Sequence, residues 1–148
     1  SISDSVSNYV DDIKNQLEKA KEILEEAKAL GHDLEFDIML DQVEMNSYSA
    51  IIYNRNQLEY VQGEVRKLDK EFNNIKMNKL VSDLSSFTSK KEEINGVKAA
   101  VNSDKNIVTL KVEMDPSKMG AEDIETYGLN LTKELLKQEL EGEGYTCK

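Results

Sequence analysis

The stretch YSAIIYNRNQLEYVQGEVRKLDKEFNNI, residues 48–75, decides how the first half of this chain folds. Its apolar side chains recur at steps of three and four, which is the spacing of one helix face. They are Leu58, Val61, Val65, Leu68, Phe72 and Ile75. The same stretch is also rich in residues that favour strands. Two structures are therefore open for residues 35–75, one helical and one with strands.

The helical and the strand alternatives differ in where the chain turns. In the helical one, the chain turns at Gly31 and His32 and returns as a long helix, packed antiparallel on residues 3–30. In the other one, residues 48–53 and 58–68 are two strands, and the asparagines between them form the turn. The regular apolar spacing would then be a coincidence.

The first 30 residues carry the clearest helical signal. Their apolar residues alternate at steps of four and three, which predicts an amphipathic helix with a heptad-like seam. The seam consists of Val6, Val10, Ile13, Leu17, Ala20, Leu24 and Ala27. Gly31 is expected to end this helix. His32 follows it, and an imidazole that caps the preceding carbonyls is a commoner role there than catalysis.

The second half of the chain predicts helices and a small antiparallel sheet. Residues 76–93 are expected to be helical. Residues 97–101 and 107–114 are expected to form a β-hairpin, since apolar and polar side chains alternate strictly along the second strand. A last helix begins after Asn130, its expected N-cap. Its apolar side consists of Leu131, Leu135, Leu136 and Leu140.

These elements predict a single α+β domain over residues 1–148. Residues 1–34 form a long N-terminal amphipathic helix, and residues 35–148 form a body of further helices packed on a small antiparallel sheet. The length of 148 residues is in the common range for one domain. Hydrophobic residues make up 39% of the chain, which is enough to form a core.

Charge and cysteine content narrow the range of partners. The net charge of -10 repels phosphate backbones and anionic membrane surfaces, so we expect neither nucleic acid nor lipid headgroups as partners. The only cysteine, Cys147, cannot form a disulfide within the chain. No apolar run predicts a membrane span, and no signal peptide is recognisable, although Ser1 could follow one that has been removed.

The sequence shows no recognisable catalytic, cofactor or metal site. A metal site would need several His, Cys or closely spaced carboxylate ligands, and the chain has one His and one Cys. No glycine pattern matches a phosphate-binding loop. We therefore predict that the protein is not an enzyme. Tyr48, Tyr53 and Tyr60 are the remaining candidates: tyrosines of this kind commonly pack in a core, and a partner-binding surface is the functional alternative.

Three stretches of the second half are similar to a known family. They are LSSFTSKKEEINGV at 84–97, NIVTLKVEMDPSKM at 106–119 and GYTCK at 144–148. In this order they resemble the small YehR-like bacterial lipoproteins, and residues 47–65 loosely resemble the early strands of that family. The resemblance implies a small α+β fold, an extracytoplasmic location and a lipid-attached cysteine outside these residues. It favours strands for residues 48–68 and implies no particular ligand or activity.

Two functions are open on these grounds. The first is a non-catalytic binding module of the bacterial cell envelope, held by a lipid anchor, whose ligand is a protein or a small molecule. The second is a structural or assembly protein, in which the seam of residues 6–27 pairs with a partner helix as a coiled coil, for example in a homodimer. A cytoplasmic location is the alternative to the envelope.

Overall fold

The computed structural model describes residues 1–40, 47–89, 92–127, 131–142, 144, 146 and 147. The elements in chain order are α1 (Ile2–Ala29), α2 (Tyr48–Ser89), β1 (Ile94–Asn102), β2 (Ile107–Met114), a short 3-10 helix (Pro116–Lys118), α3 (Ala121–Tyr127) and α4 (Leu131–Gly142). Long helices and a small antiparallel sheet occur together, which confirms the predicted α+β class.

The chain divides into two compact units, which we call unit 1 (Ser1–Lys76) and unit 2 (Met77–Lys148). This division differs from the predicted single domain with a helix over residues 1–34 and a body over 35–148. The physical reason lies in the packing of α1. Its apolar side is covered by residues 58–72, so the N-terminal helix shares one core with the chain that follows it.

Helix α1 is closed at both ends by capping interactions. At its start, the Ser1 hydroxyl accepts a hydrogen bond from the Asp4 backbone N–H at 3.2 Å. At its end, Gly31 adopts φ +85°, and the His32 N–H donates to the Ala27 carbonyl at 2.9 Å. The Gly31 N–H donates to Lys28, which completes a Schellman motif. The predicted stop at Gly31 is confirmed, and the backbone of His32 makes the cap that we had assigned to its imidazole.

Residues 48–75 are helical, so the strand alternative for residues 48–53 and 58–68 is wrong. They form most of α2, and the Ser47 hydroxyl caps the helix by accepting from the Ala50 N–H at 3.2 Å. Asn54, expected to be a turn residue in the strand alternative, is buried and donates from Nδ2 to the Ala50 carbonyl at 2.8 Å. Because the Asn54 amide forms its hydrogen bond within the helix, it does not form the turn that the strand alternative needs at this position.

The core of unit 1 is one hydrophobic cluster built from both long helices. Its buried members are Ile13, Ala20, Ile23, Ala27, Leu58, Val61, Val65, Leu68 and Phe72. Three positions of the predicted α1 seam, Ile13, Ala20 and Ala27, are buried, and Leu17 and Leu24 between them pack against the cluster. Burial of these two stripes against each other decides between helix and strand more strongly than local propensity does.

The described part of the link between α1 and α2 continues past Gly31 without forming a helix as far as residue 40. Residues 30–47 join the helices, so the predicted long second helix is present and begins at Tyr48, 17 residues after Gly31. Residues 32–40 have no regular secondary structure, and their burial alternates. Leu34, Phe36, Ile38 and Leu40 are half-buried against the core cluster, and the residues between them are exposed. The segment therefore lies on the helices like a single strand.

Unit 2 contains a two-stranded antiparallel hairpin. Its register pairs Val101 with Val108 and Ala99 with Leu110. The predicted hairpin is confirmed, and β1 is longer than expected at both ends. Along β2, exposed and half-buried residues alternate, so the predicted apolar face is only partly covered. The predicted N-cap Asn130 lies outside the described residues.

Replacing glycine by alanine should change the free energy of unfolding in opposite directions at Gly31 and Gly63. Gly63 lies inside α2, and a Cβ there would meet nothing within 4 Å, so Gly63→Ala should raise the free energy of unfolding by about 0.5–1 kcal/mol. Gly31→Ala should lower it by roughly 1 kcal/mol, because φ +85° strains a residue with a Cβ. Urea denaturation followed by circular dichroism measures both changes. Equal effects would contradict the two backbone conformations.

Candidate functional site

Helix α2 positions all three tyrosines that the sequence singled out. Tyr48 is 75% exposed, Tyr60 is 47% exposed, and Tyr53 is half-buried. Tyr53 and Tyr60 are seven residues apart, so they lie on the same side of the helix about 10 Å from each other along its axis. Tyr48 begins the helix. None of the three is in the buried core, and the rings of Tyr48 and Tyr60 are exposed.

Ile52 joins Tyr48 and Tyr60 on the outer face of α2. It is 51% exposed, although an isoleucine in an amphipathic helix usually points to the core. At 100° per residue, Tyr48 and Ile52 fall on the side of the helix opposite Ala50 and Val61, both fully buried, and Tyr60 falls on the flank, about 90° from these two core residues. We call Tyr48, Ile52 and Tyr60 the α2 outer face. Charged and polar residues Arg55, Asn56 and Glu59 are exposed beside them.

Residue type alone pointed to the tyrosines, and it did not point to Ile52. A signal for it was present, since the core stripe of α2 excludes position 52 from the buried side once the helix is assigned. The extended segment of residues 33–40 was not predicted either. Its outward side chains include Met39 at 89% exposure. The alternation of Leu34, Phe36, Ile38 and Leu40 with polar residues could have revealed that segment.

Neither His32 nor Cys147 belongs to a metal-binding group within the described ranges. Among the residues that the structure describes, no group of three or more His, Cys, Asp or Glu side chains is arranged to hold a metal ion. His32 is exposed after α1, and Cys147 is a half-buried free thiol near the C-terminus. His32 lies in unit 1, and Cys147 lies in unit 2.

Asp115 carries a local electrostatic feature that titration can test. Its Oδ1 accepts hydrogen bonds from the Ser117 hydroxyl at 2.6 Å and from the Ser117 N–H at 3.0 Å. These two bonds, and to a lesser degree the Lys118 ammonium, hold the pKa of Asp115 below 3.8. The carboxylate caps the 3-10 helix, a structural role that requires no substrate.

Replacing Ser117 by alanine should raise the pKa of Asp115 toward its ordinary value. The hydroxyl bond is the largest cause of the lowered pKa, so its loss should change the pKa more than Lys118→Ala does. Because the folded pKa is lowered, the cap contributes stability above the unfolded pKa and loses it as the pH falls through the folded value. Carboxyl-carbon NMR titration below about pH 5 measures this. An unchanged pKa in Ser117→Ala would contradict the assignment.

Comparisons with known proteins do not assign a family. No protein-family model, no curated protein and no solved structure matches the chain. The resemblance to the YehR-like lipoproteins therefore stays a prediction from the quoted stretches. The strands that it favoured for residues 48–68 are helical in this protein. Within the described ranges, no helix has the length and apolar character needed to cross a membrane.

Proposed function

We propose that this protein is a non-catalytic module that binds another protein through the α2 outer face. One observation carries the proposal: the large side chains of Tyr48 and Ile52 are exposed on the side of α2 that faces away from the core, and Tyr60 is exposed on the flank of the same helix. Exposed apolar groups rimmed by polar residues are typical of protein-binding surfaces. The partner would supply an apolar surface with hydrogen-bond acceptors for the tyrosine hydroxyls.

The composition of the α2 outer face supports a protein partner. Tyrosine is enriched among the few residues that dominate binding energy at interfaces, because it buries a large ring and keeps a polar end. A helix also holds its side chains at fixed spacings, which lowers the entropy cost of binding. Arg55 and Glu59 can form the polar rim that surrounds such an apolar centre.

The assembly alternative depends on a seam that is occupied in this fold. Ile13, Ala20 and Ala27 are buried in the core of unit 1, with Leu17 and Leu24 packed beside them. A partner helix would have to displace the chain's own α2 from this seam. We therefore favour the α2 outer face over the seam as the binding surface, and we treat a homodimer through that face as one outcome of the test.

Selection of peptides from a random library displayed on phage tests the proposal without a known partner. The immobilised chain should enrich peptides that bind in solution, and their affinity should fall roughly 30-fold in Ile52→Ala or Tyr60→Ala if these residues are binding hot spots. Calorimetric titration of one synthetic selected peptide measures the change. Circular dichroism confirms that each variant keeps its helices.

Matched variants on the same helix provide the control. Glu59→Ala and Arg66→Ala remove exposed side chains from α2 and should leave the affinity within about threefold, since rim residues contribute little. Selected peptides that bind both outer-face variants as well as the original chain would overturn the proposal. Sedimentation equilibrium of the free chain identifies the homodimer outcome.

We also propose the cell envelope as the location, on the strength of the sequence resemblance. A lipid-attached cysteine upstream of Ser1 would hold the binding module at a membrane surface. In the source cells, the full-length protein should partition into the detergent-rich phase of a phase-separating detergent, and the chain of residues 1–148 should stay in the aqueous phase. Recovery of the full-length protein in the aqueous cytosolic fraction would contradict this location.

A further inference from the structure

Residues 33–40 form an extended segment that is held in place by every second side chain. Leu34, Phe36, Ile38 and Leu40 pack against the core cluster of unit 1. Successive side chains of an extended backbone point to opposite sides, so the residues between these anchors point away from the core. We call residues 33–40 the extended segment. Its conformation is fixed by apolar contacts on one side alone.

The backbone of the extended segment has no hydrogen-bond partner within the described residues. The last backbone bond before it is donated by His32 to Ala27, and the next is donated by Ile51 to Ser47. Buried backbone N–H and C=O groups almost always find a partner in folded proteins. Among the described residues, these backbone groups are therefore not paired with another strand, and they match the unpaired edge to which an extended peptide can add.

The outward side chains of the extended segment carry negative charge. Asp33, Glu35 and Asp37 are all exposed, and Met39 follows them at 89% exposure. Their spacing of two places three carboxylates in a row along one side of an extended backbone, about 7 Å apart. A strand that pairs with this edge would set its own outward side chains beside these carboxylates.

We propose that the extended segment is a docking edge for a basic extended peptide, which adds to it as a second strand. Backbone hydrogen bonds to residues 33–40 would supply affinity, and alternate side chains would supply specificity, as in other cases of strand addition. The peptide chemistry follows from the two sides of the segment. Lysine or arginine at alternate positions would pair with the outward carboxylates, and apolar residues between them would lie over the helices.

A second copy of this chain is a poorer occupant of the same edge. Pairing of two extended segments would bring the carboxylates of one close to those of the other, and like charges on paired strands are destabilising. Acidic side chains on an open edge thus act against self-association. The same charges favour a cationic peptide, and the net charge of -10 favours its approach.

The inference rests on the proposed function only in treating the protein as a binding module, because it concerns a different surface. The extended segment lies before α2, and its outward residues are not part of the α2 outer face. A peptide bound at this edge should be insensitive to Ile52→Ala and Tyr60→Ala. Failure of either surface can therefore be recognised separately.

Titration with a designed peptide tests the docking edge. The probe is a peptide of alternating lysine and valine that is as long as the segment. Calorimetry measures its affinity at low ionic strength, and amide hydrogen exchange measures protection of the backbone. Binding should protect backbone amides within residues 33–40, and a peptide that is N-methylated at alternate residues should bind roughly tenfold more weakly. A peptide with all lysines in one block should give no such protection. Equal binding of the block peptide would overturn the proposal.

Charge reversal separates docking from general attraction between opposite charges. Replacing Asp33, Glu35 and Asp37 by lysine should weaken the probe at least about tenfold. The matched control replaces Glu18, Glu22 and Glu25, exposed on α1, by lysine and changes the net charge equally. Equal losses in the two variants, or binding without amide protection, would reduce the interaction to nonspecific electrostatics and refute the docking edge.

Discussion

Replacing Val61 by aspartate is expected to unfold unit 1. Val61 is 0% exposed and lies inside the core cluster, and among the described residues no cationic side chain is buried. An unpaired carboxylate in such a site costs several kcal/mol, and the lost apolar contacts add to this. Since domains are stable by only about 5–15 kcal/mol, most of the folding free energy would be lost. Urea denaturation followed by circular dichroism at 222 nm should show a strongly lowered midpoint.

The adjacent residue on α2 provides a control for Val61→Asp. Tyr60→Asp introduces the same carboxylate one position earlier, on a side chain that is 47% exposed. Surface substitutions of this kind usually change stability by less than about 0.5 kcal/mol. Comparable losses in both variants would mean that helix propensity, rather than burial, explains the effect, and would contradict the helix orientation described above.

The helices of unit 1 could be predicted from residue spacing, but the choice between helix and strand could not. Steps of three and four from Leu58 to Ile75 predicted a helix, while the β-formers of residues 48–53 equally suited a strand. What decides is the second stripe, on α1, which a helical α2 can cover and a twisted hairpin would cover less well. This is a tertiary effect, and it lies outside any single window of sequence.

The extended segment was not predicted, because a segment with alternating apolar residues usually forms a strand in a sheet, whereas this one packs on helices. Alternation at Leu34, Phe36 and Ile38 is typical of a strand in a sheet, where neighbouring strands pair with its backbone. Here the apolar side packs on helices, and no described strand pairs with the segment. A pattern of side chains reports which side is buried, but it does not report whether the backbone has a partner.

The α2 outer face could likewise be predicted only in part from the sequence. Residue type alone selected Tyr48, Tyr53 and Tyr60, because tyrosines are common at interfaces. Which of them face outward depends on the angular position of the core stripe, and this is fixed only once α2 is known to be helical through the whole stretch. Tyr48 and Tyr60 then lie outward, Tyr53 is half-buried, and Ile52 enters the surface.

Replacing Phe72 by alanine should cost unit 1 roughly 3–5 kcal/mol, the usual range for a buried phenylalanine. Phe72 is 3% exposed and is the largest side chain of the core cluster. Leu68 and Phe72 are the last two residues that α2 contributes to the core cluster. Removal of the Phe72 ring would leave a cavity beside Leu68. Urea denaturation of Phe72→Ala beside Phe72→Leu measures how much of the loss comes from volume.

Phe72 also contributes through its ring, which a double-mutant cycle can separate from its volume. The Lys76 ammonium lies 4.6 Å from the ring centroid, a geometry that adds about 0.5–1 kcal/mol at an exposed site. Lys76→Met should therefore destabilise the original chain slightly and should have almost no effect in the Phe72→Leu background. If Lys76→Met has the same effect in both backgrounds, the ring interaction contributes nothing, and the whole effect of Phe72 is packing. A loss below about 1 kcal/mol in Phe72→Ala would instead contradict its place in the core.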